Sequence, residues 1–165
     1  MTAKRILVVE DEFLVALDME TILADAGFEV IGPVGGVAEA LRLIERDRPA
    51  AALLDNNLNG EPVGPVADMA VRSMHVDLLF MGVHGMDERG GFTTPNLLES
   101  ETNRALLRSA RQLVVVADHT KWGIVGLSTI AELGQADVLV TDDGLPGEAR
   151  ATLAEHVGEL MVAEQ

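Results

Sequence analysis

Short apolar runs alternate with amphipathic stretches from one end of the chain to the other. Residues 6–9 form an unbroken apolar run of strand length. Leu14, Leu17 and Ile22, with intervening alanines, draw a helical stripe that Gly27 caps at its C-terminal end. A second strand is predicted over 29–31, ended by Gly32-Pro33. Leu41 and Ile44 stand at helical spacing within 37–46, and 51–54 reads as a third strand. A helix is predicted over 63–73, with Pro65 near its start, where proline is tolerated. Beyond it, strands over 78–83, 113–117 and 138–141 alternate with helices over 99–111, 124–133 and 148–156. Residues 160–163 close the pattern as an edge strand.

Runs of Val, Ile and Leu joined by helices indicate a parallel sheet covered on both faces. Right-handed crossovers turn such a chain into a three-layer α/β/α sandwich. The expected fold is a single α/β domain with a doubly wound, mainly parallel sheet, flavodoxin- or Rossmann-like. Its strands are expected in the order 2-1-3, with 4-5-6 continuing the same sheet. Ile6, Val8, Leu53, Phe80, Val115 and Leu139 are the expected core.

Charge narrows the partners. The formal net charge is −15, and no Lys/Arg cluster interrupts it. Such a surface repels phosphate backbones, so nucleic acid is not expected as a partner of this chain alone. The chain has no cysteine, which excludes disulfides and thiolate metal sites. No signal peptide and no 18-residue apolar run follow the polar start, so a cytoplasmic protein without a membrane partner is expected. The pattern leaves oligomeric state open.

Two stretches carry candidate chemistry. Glu10, Asp11 and Asp55 fall at the C-terminal ends of the first and third strands, the edge where doubly wound sheets bind ligands. If the strands are neighbours, three carboxylates converge and a hard cation such as Mg²⁺ suits them. Helix capping and solvated turns explain such residues equally well. The Gly-rich stretch 81–96 lets backbone amides approach an anion, or simply makes a turn. It carries neither GxGxxG nor a P-loop. His75, His84, His119 and His156 have no metal-ligand spacing, Trp122 reads as a packing residue, and no GxSxG is present.

Two family resemblances sharpen this picture. Arg5-Ile6-Leu7-Val8-Val9-Glu10-Asp11-Glu12 and Leu53-Leu54-Asp55-Asn56-Asn57-Leu58-Asn59-Gly60 resemble a response-regulator receiver domain, over residues 3–70 or so. That resemblance implies Asp55 as phosphoacceptor, with Mg²⁺ held weakly by Glu10, Asp11, Asp55 and the main-chain carbonyl of Asn57. The receiver's hydroxyl at the end of the fourth strand and its Lys at the end of the fifth have no counterpart in register, so phosphotransfer is expected to be poor. Gly82-Val83-His84-Gly85-Met86-Asp87, Thr93-Thr94-Pro95-Asn96, Ala117-Asp118-His119-Thr120-Lys121-Trp122-Gly123 and the block 137–146 resemble the sugar-phosphate sensor domain of DeoR-type repressors, over about 77–163. This second resemblance implies that Asp87, Thr94 and Lys121 face an effector pocket, with Lys121 near phosphate; an ordinary surface lysine is the alternative.

Together the two resemblances predict a receiver-like half, 1–70, joined to a sensor-like half, 71–165, within one domain. The crossover is expected inside 66–76. The expectation is an engineered chimera without evolved catalytic activity, not an enzyme, and with weak or absent sugar-phosphate recognition. The alternative is a signalling or transcription-regulator module that binds Mg²⁺ and is phosphorylated on Asp55, or that binds a small phosphorylated sugar.

Overall fold

A computed structural model describes residues 4–55, 57–58, 61–62 and 75–163. The chain divides into two compact units, Met1–Gly64 and Pro65–Gln165.

The first unit runs β1 (Arg5–Val9), α1 (Phe13–Asp25), β2 (Glu29–Val34), α2 (Val37–Asp47), β3 (Ala51–Leu54) and a short antiparallel pair, β4 (Asn57–Leu58) with β5 (Glu61–Pro62). The three longer strands form a parallel sheet in the expected order, β2-β1-β3. Central β1 is apolar and buried from Ile6 to Val9. Helix α1 ends as its sequence dictates. Gly27 takes φ +84°, and the Ala26, Gly27 and Phe28 amides return to the Ile22, Ala24 and Leu23 carbonyls.

Two expectations for this unit fail. Gly32-Pro33 does not end β2, which continues to Val34 through a cis Gly32-Pro33 bond. β2 is an edge strand, where a residue without an N–H costs no ladder bond, and the β1–β2 register shifts between Leu7 and Val9. Gly32 itself has φ +93°, and a Cβ there would lie 2.9 Å from the Val8 carbonyl oxygen. Leu53 is not core: β3 is the other edge and is exposed along its length. The buried cluster is small, made of Leu7, Val9, Val34 and Ala40.

In the second unit the elements are β6 (Val76–Gly82), β7 (Gly85–Asp87), β8 (Gly91–Thr94), α3 (Leu97–Ser109), β9 (Ala110–Val116), β10 (Ser128–Ala131), β11 (Val138–Asp142), α4 (Gly147–His156) and β12 (Glu159–Ala163). β6, β9, β11 and β12 pair in parallel, in sequence order. β7, β8 and β10 form a separate antiparallel sheet. The described strands thus make one parallel sheet per unit where the sequence predicted one continuous ladder.

The helix expected over 124–133 is absent. β10 lies there instead, with Ser128 opposite Thr94 and Thr129 opposite Thr93, followed by a 3-10 turn at Leu133–Gln135. The β-branched pair Thr129 and Ile130 favours a strand once a partner exists. Part of the glycine-rich stretch is the β7–β8 hairpin. Gly91 is required there: its φ is +68° and a Cβ would sit 2.3 Å from the Ala131 carbonyl oxygen.

The core of this unit is larger and includes Met81, Met86, Phe92, Leu113, Val115, Leu139 and Leu153. Phe80 is not in it and is 60% exposed. Strand alternation sends Leu79 and Met81 to the packed face of β6 and Phe80 to the other. The helix expected over 63–73 lies outside the described residues. No helix among the described residues is long and apolar enough to cross a membrane.

Candidate functional site

In parallel α/β sheets ligands gather at the C-terminal ends of strands. β9 and β11 are direct neighbours, with Val114 opposite Val138 and Val116 opposite Val140, so the residues after them emerge side by side. After β9 comes a 3-10 turn, His119–Lys121, capped by the Asp118 carboxylate, which accepts the Thr120 N–H at 2.9 Å and the Thr120 hydroxyl. β11 ends in Asp142, whose Oδ2 accepts the His119 N–H at 2.8 Å. Its Oδ1 accepts the Gly144 N–H at 2.8 Å and meets His119 Nδ1 at 2.7 Å.

These donors set the charge state. The His119 amide foremost, helped by the Gly144 amide and the His119 ring, holds the Asp142 carboxyl below its ordinary value of 3.8. The Thr120 hydroxyl foremost, then its amide, does the same for Asp118, with a smaller contribution from the Lys121 charge. Lys121 Nζ lies 4.0 Å from Asp118 Oδ2 and stays partly exposed. The loop after β11 is held from below, because Arg150 of α4 donates to the Leu145 carbonyl at 2.9 Å and to the Asp143 carbonyl. Oxygen and ring-nitrogen atoms of Asp118, His119 and Asp142 lie within 4.8 Å of one another. Both carboxylates already hold N–H donors of their loops, so the group works as a clasp between two strand ends.

The expected effector residues fall around this edge unequally. Lys121 stands on the clasped turn. Asp87 follows Met86, which bridges to Trp122 and accepts the Gly123 N–H at 2.9 Å, so β7 runs beside the residues after Lys121. The Asp87 carboxylate itself accepts the Arg89 and Gly90 amides at 2.9 Å and closes the β7–β8 turn. Those two amides, Gly90 first, lower its pKa. Thr94 is fully buried and donates to Glu99 Oε2 at 2.9 Å. Trp122 is half-buried and packs against the core, as a packing residue would.

In the first unit, pairing of β1 with β3 and the Asp55 N–H to Val9 carbonyl bond at 2.9 Å bring the two strand ends together. Oxygens of Glu10, Asp11 and Asp55 lie within 4.8 Å of one another, as the spacing predicted. Glu10 is largely buried and accepts the Glu12 N–H at 2.8 Å. Asn57 falls in β4. The donor set is all carboxylate oxygen, which fits a hard divalent cation.

The described residues thus form a mixed α/β chain with polar side chains clasped at the end of a parallel sheet. The family model of the DeoR C terminal sensor domain matches residues 55–143, more than half of the chain. The chain belongs to that family. It is 34% identical over 100 residues to the HTH-type transcriptional regulator GlpR of Haloferax volcanii, covering 61% of this chain and 39% of that protein. It is 37% identical over 94 residues to the HTH-type transcriptional repressor GlcR of Bacillus subtilis, covering 56% of this chain and 36% of that protein. An HTH-type transcriptional regulator of Bacillus subtilis, YulB, is 27% identical over 150 residues, 87% of this chain and 57% of its own length. The chain therefore spans less than two thirds of the length of these relatives.

These matches correct three expectations. The engineered chimera is overturned: the sensor family begins at residue 55, and a match covering 87% of the chain has to run through 66–76, where the junction was expected. The comparisons support the sensor resemblance and give none to a receiver domain, on which Asp55 as phosphoacceptor rested. The exclusion of nucleic acid also falls, because the relatives are named as HTH-type transcriptional regulators and a repressor. Net charge describes a surface, and a regulator's contact with DNA need not lie on the surface that senses its effector.

Proposed function

We propose that this chain is the effector-sensing part of a transcription regulator, and that it binds a small phosphorylated sugar at the ends of β9 and β11. The observation that carries the reading is the position of Lys121. It sits at the C-terminal edge of a parallel sheet, on a turn tied to the neighbouring strand, with its ammonium only loosely paired to Asp118. Lysine is a compact point charge suited to a phosphate oxygen. The module binds and does not catalyse; contact with DNA belongs to the regulator as a whole. Calorimetry with a panel of sugar phosphates tests this. Lys121→Ala should weaken binding by about tenfold or more, the worth of one charge-assisted contact. Equal affinity of variant and wild type overturns the reading.

A second reading concerns the first unit, where Glu10, Asp11 and Asp55 converge within 4.8 Å. We propose that this corner takes Mg²⁺ weakly. Its carboxylates would supply the hard oxygens, and the bound ion would offset their mutual repulsion.

A further inference from the structure

We infer that Asp142 is a positioning residue for ligand recognition: it fixes the turn that carries Lys121, and Gly144 is the residue that leaves room for it to do so. The inference rests on the sensor reading above. Lys121 lies in a three-residue 3-10 turn, a short element with little internal hold. Its own backbone bonds run from Lys121 N–H to Asp118 at 3.1 Å and from Trp122 N–H to His119 at 3.2 Å. The Asp118 tether to Thr120 lies within the same loop. Asp142 reaches the turn from another strand, β11, and so registers it against the sheet.

The chemistry of the clasp requires a carboxylate. One oxygen takes the His119 main-chain N–H; the other takes the Gly144 N–H and the His119 ring nitrogen. An asparagine offers one oxygen, and its NH₂ would face a donor on the other side. Space is equally restrictive. A Cβ on Gly144 would lie 2.6 Å from His119 Nδ1 and 2.8 Å from Asp142 Oδ1. Glycine is therefore demanded by the clasp and not by backbone conformation, since Gly144 is not among the positive-φ glycines.

The test is a double-mutant cycle on phosphosugar affinity, with amide exchange as a second readout. Asp142→Asn should weaken binding about tenfold, Gly144→Ala should do likewise, and Asp142→Asn combined with Lys121→Ala should bind no worse than Lys121→Ala alone. A role confined to loop stability would instead make the two losses multiply, and that outcome overturns the inference, as does wild-type affinity in Asp142→Asn. If Lys121→Ala binds as wild type does, or no sugar phosphate binds wild type, the sensor reading falls. Exchange then decides the positioning itself. Faster exchange of the His119 to Trp122 amides in Asp142→Asn, with β9 unchanged, supports it; unchanged exchange of those amides overturns it.

Discussion

At the ends of β9 and β11, Asp118 and Asp142 each hold N–H donors from the loops around them. At the ends of β1 and β3, Glu10, Asp11 and Asp55 bring their oxygens within 4.8 Å of one another. The address is the same, the C-terminal edge of a parallel sheet, and the use differs. A carboxylate that collects amide donors becomes a tie: its charge is offset and its loop is ordered. On the proposed reading the nearby ammonium of Lys121 is the group that answers a ligand. Three converging carboxylates, of which Glu10 also accepts the Glu12 N–H, raise the local negative field, which a divalent cation would offset. On the two proposals above, the difference lies in the cation: Lys121 stands at the second unit's edge, and the first unit's corner would take Mg²⁺.

The largest effects should come from the cores beneath these edges. Leu139 is fully buried in β11 within the extensive cluster of the second unit, and Leu7 is fully buried in a cluster of few residues. Leu→Ala changes cost roughly 2–5 kcal/mol, more where the site cannot relax. Leu139→Ala should fall near the top of that range and Leu7→Ala near the bottom, read by urea unfolding. A larger cost for Leu7→Ala would break the comparison by making the first unit the better-packed support.

Much of this was legible in the sequence, for physical reasons. Strands such as 6–9, 51–54 and 138–141 announce themselves as apolar runs of strand length, although 51–54 proves to be an exposed edge. Gly27 marked a helix end because a left-handed residue was needed there. Ile124, Val125 and Leu127 looked helical locally, but the stretch after them answers to β8, some 35 residues earlier in the chain. Gly126 packs against Thr94, where a Cβ would lie 2.5 Å from the carbonyl carbon. No local period reveals such a partner. The same holds for the clasp. Asp142 and His119 are 23 residues apart, and pairing them requires knowing that β9 and β11 are neighbours. Glu10, Asp11 and Asp55 do lie together at the strand ends, but that proximity gave no ground for a junction inside 66–76, which the family match runs through.

A medium effect tests which residues at the second edge are structural. The buried Thr94 hydroxyl donates to Glu99 and accepts the Asn96 N–H at 3.3 Å. Thr94→Val removes both bonds, to partners that water can still reach, and should cost about 0.5–1.5 kcal/mol of stability. If Thr94 serves only to start α3, phosphosugar affinity should hold within about twofold, well under the loss expected for a direct contact. A loss matching that of Lys121→Ala would return Thr94 to the ligand-contacting set.

A smaller effect tests the first unit. Mg²⁺ at its Kd stabilises by roughly 0.4 kcal/mol, and at ten times its Kd by about 1.4 kcal/mol. The melting temperature should therefore climb by about 1–5 °C across a titration. Asp55→Asn removes one converging carboxylate and should flatten that response. Equal Mg²⁺ stabilisation of variant and wild type would remove the cation corner from the comparison.

The smallest expected effect is the pH dependence of the ties themselves. Asp142, Asp118 and Asp87 all have carboxyls held below their ordinary value of 3.8 by amide and hydroxyl donors. A carboxyl with a lowered folded-state value favours the folded state wherever it is ionised in both states. Its contribution is fully present above 3.8 and is lost as the pH falls through the lower folded values. The gap between thermal melts of wild type and Asp142→Asn should therefore close as the pH falls below about 4 and acid protonates both states. Convergence means that Asp142 works through its charge, as a tie should. A gap that persists undiminished at about pH 2 would show that shape, and not ionisation, holds the β9 and β11 loops together.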